Sequence, residues 1–298
     1  MSPLARPFDD PVVRITSRRS TSTALLVQLY LTTQAWKRPE TQRVLRSKLG
    51  AFAAAYPILP QSPLEFLPYL QRRQATVKEW TYRGDFRVIY RFFVWCAKQH
   101  GVVNPMADMV PPRKPKTVPQ RIEDHEARAV YAYAAAHAVE HPEWLALAQL
   151  LLGTGMRIGE LTALRRSNVM LDHIVIPTGK TGGRIVPIPH EDFHALIERV
   201  GKGDHLWLTD GKPRSVKGLT NTWRMLCGHV GVFGRKAGPH SARHRFAVKL
   251  LENTGDIRAV QWALGHETLT STVIYLKMLE GTALIQRWAS ISPLKGVA

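Results

Sequence analysis

Residues 110–121 read VPPRKPKTVPQR. Four prolines in twelve positions fix φ and remove backbone donors, so the stretch cannot be a helix interior or a central strand. Its basic side chains (Arg113, Lys114, Lys116, Arg121) keep it out of a core. The segment predicts an extended linker with a helical domain before it (residues 25–109), a larger domain after it (122–280), and short tails at 1–24 and 281–298. The 298 residues, 45% of them apolar, suffice for a core in each of two domains.

The charge is lopsided. The formal net charge is +18, and residues 1–118 hold 19 Lys or Arg against 7 Asp or Glu. Such an excess points to a polyanion, most simply nucleic acid, because neutralising phosphates releases counterions. The longest apolar run, residues 144–152, is interrupted by Gln149 and falls far short of the roughly 20 residues that span a bilayer. The first ten residues, MSPLARPFDD, carry no apolar segment of a secretory signal, and two cysteines that do not form a CxxC pair fit a reducing cytoplasm.

Before the linker, apolar spacing predicts helices over residues 25–33, 41–56, 63–72 and about 76–100. In the last, Phe86, Ile89, Phe93 and Ala97 mark a buried face. Arg83, Arg87, Arg91 and Lys98, spaced by 4, 4 and 7, form one cationic stripe. Such a stripe commonly just faces water, but next to a basic linker it reads as a DNA-facing surface.

After the linker, Glu123, Asp124 and Glu126 open a helix, and a second, almost wholly apolar helix follows at 144–152. The next residues, LLGTGMRIGELTAL, carry glycines at 153, 155 and 159. A dinucleotide-binding reading fails: the third glycine is one place late and no strand precedes it. What remains is Arg157 at the first turn of a helix, where free amides favour an anion, with Glu160 three residues on to orient the guanidinium. Residues 173–178 and 184–188 read as a β-hairpin with a glycine-rich turn bearing Lys180, and 205–208 as a third strand. The expected fold is therefore mainly α with a small β-hairpin or three-stranded sheet. Toward the C-terminus, His240 and Arg243 share a helix face and His244 lies four residues from His240. A metal reading of the two histidines fails, since the Glu of HExxH is missing and no further ligand has suitable spacing. A short helix ends at Gly265 and presents His266; Tyr275, nine residues later, lies on another.

In order and spacing, Arg157 within GxRxxEL, the hairpin Lys180, HxxR at His240 and Arg243, LGH at His266, and Tyr275 resemble the tyrosine recombinase (phage integrase) family. TVKEWTYRGDFRVIYRFFVWCAKQHGVVNP resembles the end of that family's helical core-binding domain. The likeness runs over about residues 25–280.

The resemblance implies site-specific DNA strand exchange through a 3′-phosphotyrosine, with Tyr275 as nucleophile. Arg157 and Arg243 would clamp the nonbridging oxygens, Lys180 would be the general acid, His240 and His266 would assist proton transfer, and Glu160 would support from behind. Neither metal nor ATP is expected. The hairpin turn, GKTGGR, is about one residue shorter than the family's common form, which makes Arg184 a fallback cation for Lys180. Duplex DNA would be held by Arg83, Arg87, Arg91, Lys98, Arg113, Lys114 and Lys116. A homotetramer on DNA, accessory DNA-bending proteins, and a cytoplasmic, nucleoid-associated protein of bacterial or mobile-element origin are implied too. The tail, with Leu284, Ile285 and Trp288, would pack on a neighbouring protomer or fold onto its own domain. Type IB topoisomerase-like relaxation and a non-catalytic DNA-binding descendant of a recombinase stand as alternatives.

Overall fold

The computed structural model of the chain describes residues 22–114, 119–179, 182–200 and 203–278. The chain divides into two compact units, Met1–Thr117 and Val118–Ala298. Lys116, Lys180 and the tails at 1–21 and 279–298 lie outside the described residues.

Among its described residues the first unit is built from four helices: α1 (Thr23–Thr33), α2 (Pro39–Ala55), α3 (Pro63–Thr76) and α4 (Glu79–His100). Local chemistry sets their ends. Ser22 and Ser62 accept from backbone amides at the starts of α1 and α3, Pro39 and Pro63 stand at first positions, and α4 stops at left-handed Gly101. The expected start of α4 near residue 76 is three residues early. Thr76 ends α3, and Val77 and Lys78 are extended between the two helices. Phe52 sits at the centre of the core, its ring 5.5 to 6.1 Å from those of Tyr56, Phe66, Tyr69, Phe92 and Phe93. Phe86, Ile89 and Phe93 are buried on α4 as the periodicity predicts. Beside them buried Asp85 pairs with Lys48 and Arg73, which ties α2 and α3 to α4.

The second unit opens with α5 (Asp124–Ala136), whose amino end closes in a capping box between Glu123 and Glu126. Asp124 reaches Lys249 at 2.6 Å and Arg245 at 2.9 Å. The apolar segment is α6 (Pro142–Gly153), buried along Ala146–Leu151. Then come α7 (Ile158–Thr162), the antiparallel hairpin β1 (His173–Gly179) and β2 (Gly182–Pro187), and α8 (Phe193–Val200). A two-residue ladder, β3 (Leu208–Thr209) with β4 (Lys212–Pro213), precedes α9 (Val216–His229), α10 (Pro239–Thr254), α11 (Ile257–Leu264) and a 3₁₀ turn at Val273–Met278.

The third strand does not join the hairpin. Asp210 and Gly211 have φ of 51° and 72°, the signature of a two-residue type I′ turn, so Leu208–Thr209 folds back on Lys212–Pro213 instead. His205 makes only an isolated bridge to Arg165. Among the described residues no helix is long and apolar enough to cross a membrane.

Because Phe52 touches five other rings, Phe52→Ala is expected to destabilise the first unit by about 3–5 kcal/mol, measured by denaturant unfolding.

Candidate active site

Two tight turns bring the site together. After α6 the chain reverses at Gly155, whose φ of 63° and the Phe246 ring, packed where a Cβ would stand, admit only glycine. This turn delivers Arg157 to the N-cap of α7. After α11 the chain reverses again at Gly265 (φ 60°), against which the Arg184 side chain is packed. That turn delivers His266.

Glu160 is the anchor. Its Oε2 accepts from the Arg157 backbone amide at 2.8 Å and its Oε1 from the Arg157 guanidinium at 2.7 Å. Arg184, on β2, donates to both oxygens at 3.1 and 2.9 Å and to the Ala263 carbonyl at 3.0 Å. Burial by itself would raise the Glu160 carboxyl. The hydrogen bonds and charge of Arg184, with those of Arg157, outweigh burial and hold the carboxyl at about 2. Arg184, expected as a fallback for Lys180, is instead a buried partner of Glu160. In a strand, alternate residues share a face, and Arg184 shares the inward face with buried Val186.

Arg243, on α10 and 4% exposed, donates to the Gly155 carbonyl at 2.5 Å and the Leu264 carbonyl at 2.7 Å. A further N–H lies 3.2 Å from His266 Nε2. A guanidinium only donates, so Nε2 is the acceptor, and Nδ1 carries the ring hydrogen and donates to Thr272 Oγ1 at 2.9 Å. Burial, then the charges of Arg243, Arg157 and Arg184, push the His266 imidazole down to about 4. Burial and Arg157 lower Arg243 to about 10, which leaves it charged at neutral pH.

Tyr275 is 2% exposed, packed against Ala247, Val248, Leu251, Val260 and Leu264. Its ring stacks at 9° to that of His266, centroids 6.4 Å apart. Burial raises the phenol, while Arg243 and Arg157 pull it down. The phenol oxygen lies 3.1 Å from Nδ1 of His244. The motif spacing did not point to this histidine; the i+4 relation to His240 was visible but suggested only metal chemistry. His240, at the start of α10, is exposed as a residue although its ring lies partly among neighbouring groups; that partial desolvation, then Arg243 and Arg157, lower it. The structure therefore gathers Arg157, Glu160, Arg243, His266 and Tyr275, with His240 in electrostatic reach, and adds Arg184, His244 and Thr272.

In the first unit, Arg87, Arg91 and Lys98 line one open groove together with Lys37, Lys48 and Trp95. Arg83 leaves the stripe: its Nε donates to the Pro112 carbonyl at 3.2 Å. Arg113 and Lys114 are exposed, and the Lys114 ammonium lies 5.9 Å from the Trp80 ring centre.

Since the Glu160 carboxyl is about 2 when folded against an ordinary 4.5, its contribution to stability is complete above the ordinary value and disappears as pH falls toward 2. Glu160→Gln is expected to cost on the order of 3 kcal/mol at neutral pH, because Arg184 stays buried without its counter-ion. Urea unfolding from pH 6 to pH 2 checks both, the variant lacking that part of the acid dependence.

Residues 120–281 match the phage integrase family. The chain is 35% identical over 180 residues to tyrosine recombinase XerA of Thermococcus kodakarensis, covering 56% of this chain and 61% of the relative. It is 29% identical over 213 residues to tyrosine recombinase XerC of a Methylobacterium species, covering 66% of each. The alignments thus span about six-tenths to two-thirds of these relatives. Among solved structures, a lambda integrase dimer bound to a COC′ core site superposes with TM-score 0.71 at 18% identity, over 86% of this chain and 95% of that one. The XerH recombinase bound to palindromic difH gives 0.71 at 19% identity, over 91% and 84%. With the family match extending over more than half of its length, and with this fold, the chain belongs to the phage integrase family of tyrosine recombinases.

Proposed function

We propose that this protein is a site-specific DNA recombinase that cuts and rejoins duplex DNA through a 3′-phosphotyrosine on Tyr275. The observation that carries this reading is the convergence of two guanidinium groups, Arg157 and Arg243, with His266 and the Tyr275 phenol around one position in the second unit. Phosphoryl transfer spreads charge over equatorial oxygens, and fixed bidentate cations stabilise that charge without reorganising. Arg243 has five N–H donors, and three are engaged in the described contacts. The others supply a phosphate. Two permanent cations perform the neutralisation that other phosphoryl-transfer enzymes assign to metal ions, so metal is not required. The phosphotyrosine conserves the bond energy, so neither is ATP.

Glu160 and Arg184 hold Arg157 in place. His266 and His240 bind phosphate and move protons, and Lys180 is the general acid for the leaving 5′ oxygen. Tyr275 is shielded in the free protein, so attack requires the 273–278 turn to shift. The groove bearing Arg87, Arg91 and Lys98, together with Arg113, Lys114 and Lys116, tracks the duplex backbone. Arg83 orders the linker through Pro112. In this reading residues 25–109 form the core-binding domain and 122–280 the catalytic domain. A homotetramer assembles on two sites, with the C-terminal tail as protomer contact and DNA-bending proteins as accessories, in the cytoplasm.

Incubation with a DNA site selected by binding to the Tyr275→Phe variant, followed by denaturation, is expected to leave a covalent protein–DNA adduct that EDTA does not abolish. Tyr275→Phe is expected to leave none. Arg157→Ala or Arg243→Ala should bind DNA yet lose cleavage by at least 100-fold, a loss of the size seen when one transition-state donor is removed. An adduct formed by Tyr275→Phe, or metal-dependent cleavage, would refute this reading. Replacing Arg87 and Arg91 together with alanine is expected to reduce the slope of log binding constant against log salt by about 0.9 for each phosphate that is no longer neutralised. Gel-shift titrations from low to moderate salt read that slope.

A further inference from the structure

The hydrogen bond between His244 Nδ1 and the Tyr275 hydroxyl, 3.1 Å long, is unexplained by the roles assigned so far. No other hydrogen bond of the described residues reaches the phenol oxygen. His240, which also could move a proton, makes none to Tyr275 among the described residues. Helix geometry explains the pairing. Arg243 and His244 are neighbours on α10, so their side chains diverge by about 100°. Arg243 points to the carbonyls of Gly155 and Leu264, and His244 points to the phenol. The ring centroids of His244 and Tyr275 lie 5.7 Å apart with the planes tilted by 53°, so the two meet through the nitrogen and hydroxyl and not as a parallel stack.

We propose that His244 is the general base that takes the phenol proton from Tyr275 during strand cleavage and the acid that returns it on religation. The proposal rests on the strand-cleavage reading above. In the forward step the Tyr275 Oη–P bond forms and the phenol proton passes to Nδ1, leaving His244 as imidazolium. The P–O5′ bond breaks, and the leaving 5′ oxygen takes its proton from a different acid, the role assigned to Lys180. In religation a 5′-hydroxyl attacks phosphorus and returns its proton to the group that had supplied it, the role assigned to Lys180, while the Tyr275 Oη–P bond breaks and His244 gives its proton back to the phenol. No oxidant, metal or nucleotide enters.

The surroundings suit a base that is silent until DNA arrives. The groups facing this pair are His240 and Arg243 from α10, Arg157 from the N-cap of α7 and His266 from the turn after α11. Burial, then His240 and Arg243, hold the His244 imidazole down at about 4, so the ring is neutral at neutral pH, and in its Nε2–H tautomer Nδ1 accepts from the phenol. A phosphate bound between the arginines offsets their charge and raises the basicity of His244 at the moment it is needed.

Single-turnover cleavage of the selected DNA site tests this. His244→Asn keeps a polar atom near the Nδ1 position but cannot carry the proton away, and His244→Ala opens a space for exogenous imidazole. Both are expected to bind DNA as the wild type does and to cleave at least about 100-fold more slowly at pH 7. The His244→Asn rate should climb with pH toward the phenol range, and imidazole should partly restore His244→Ala. A 5′-bridging sulfur at the scissile position, which leaves without an acid, should not relieve either variant, whereas it should relieve Lys180→Ala. Wild-type cleavage rates in His244→Asn, relief by the sulfur substrate, a slowed rate with unchanged pH profile and no imidazole rescue, or loss of DNA binding in both variants would each overturn the assignment. A wild-type protein that leaves no adduct on its bound site would overturn the strand-cleavage reading itself.

Discussion

The candidate site of the second unit depends on one largely enclosed carboxylate. Glu160 binds the backbone and guanidinium of Arg157 on one side and the guanidinium of Arg184 on the other, and so joins the start of α7 to the hairpin. Arg184 extends the link to the end of α11 through Ala263, and Arg157 reaches Gly265. Three segments distant in sequence are locked by one negative charge. Removing two arginines from water is expensive, and only a carboxylate with its oxygens fully engaged offsets that cost. Rigidity follows, and a site that must stabilise charge without rearranging needs rigidity.

A second layer of constraint lies in the carbonyls that receive the arginines. Arg243 ends on Gly155 and Leu264, both in or next to left-handed turns. The turns thus do double duty: they reverse the chain and aim free carbonyls at a cation. His266 follows from the same arrangement, since the guanidinium of Arg243 fixes its tautomer and Thr272 completes it. The Tyr275 phenol is held in an apolar pocket of α10 and α11 against these groups, with its hydroxyl turned to His244.

Much of this is legible in the chain. The helices of the first unit follow from apolar spacing and from serine, proline and glycine at their ends, because local chemistry sets local structure. The motif residues Arg157, Arg243 and His266 can be picked out because each sits beside a turn glycine or at helical spacing from a partner, whereas Tyr275 stands out only through the family resemblance, nine residues after His266. Other features are not legible in the same way. Arg184 and Lys180 are both cations near a glycine-rich turn, and only the pleat decides that Arg184 faces inward. Lys37 and Lys48 join the groove of the first unit from segments that carry no stripe of their own. Asp210–Gly211 closes a ladder on itself where alternation alone suggested a strand for the hairpin.

The sequence by itself determined the division at the proline-rich segment, the mainly helical class, the cationic excess and the set of chemically capable side chains, because those properties depend on composition and on spacing within a few turns of chain. Only the tertiary structure decided which of those side chains meet. Arg184 meets Glu160 rather than solvent, Arg83 meets Pro112 rather than the groove, and His244 rather than His240 meets the phenol. These pairings join positions separated by 24, 29 and 31 residues. No local rule ranks contacts at such distances; the packing of the units, which buries apolar faces first, leaves each polar group the partner that remains within reach.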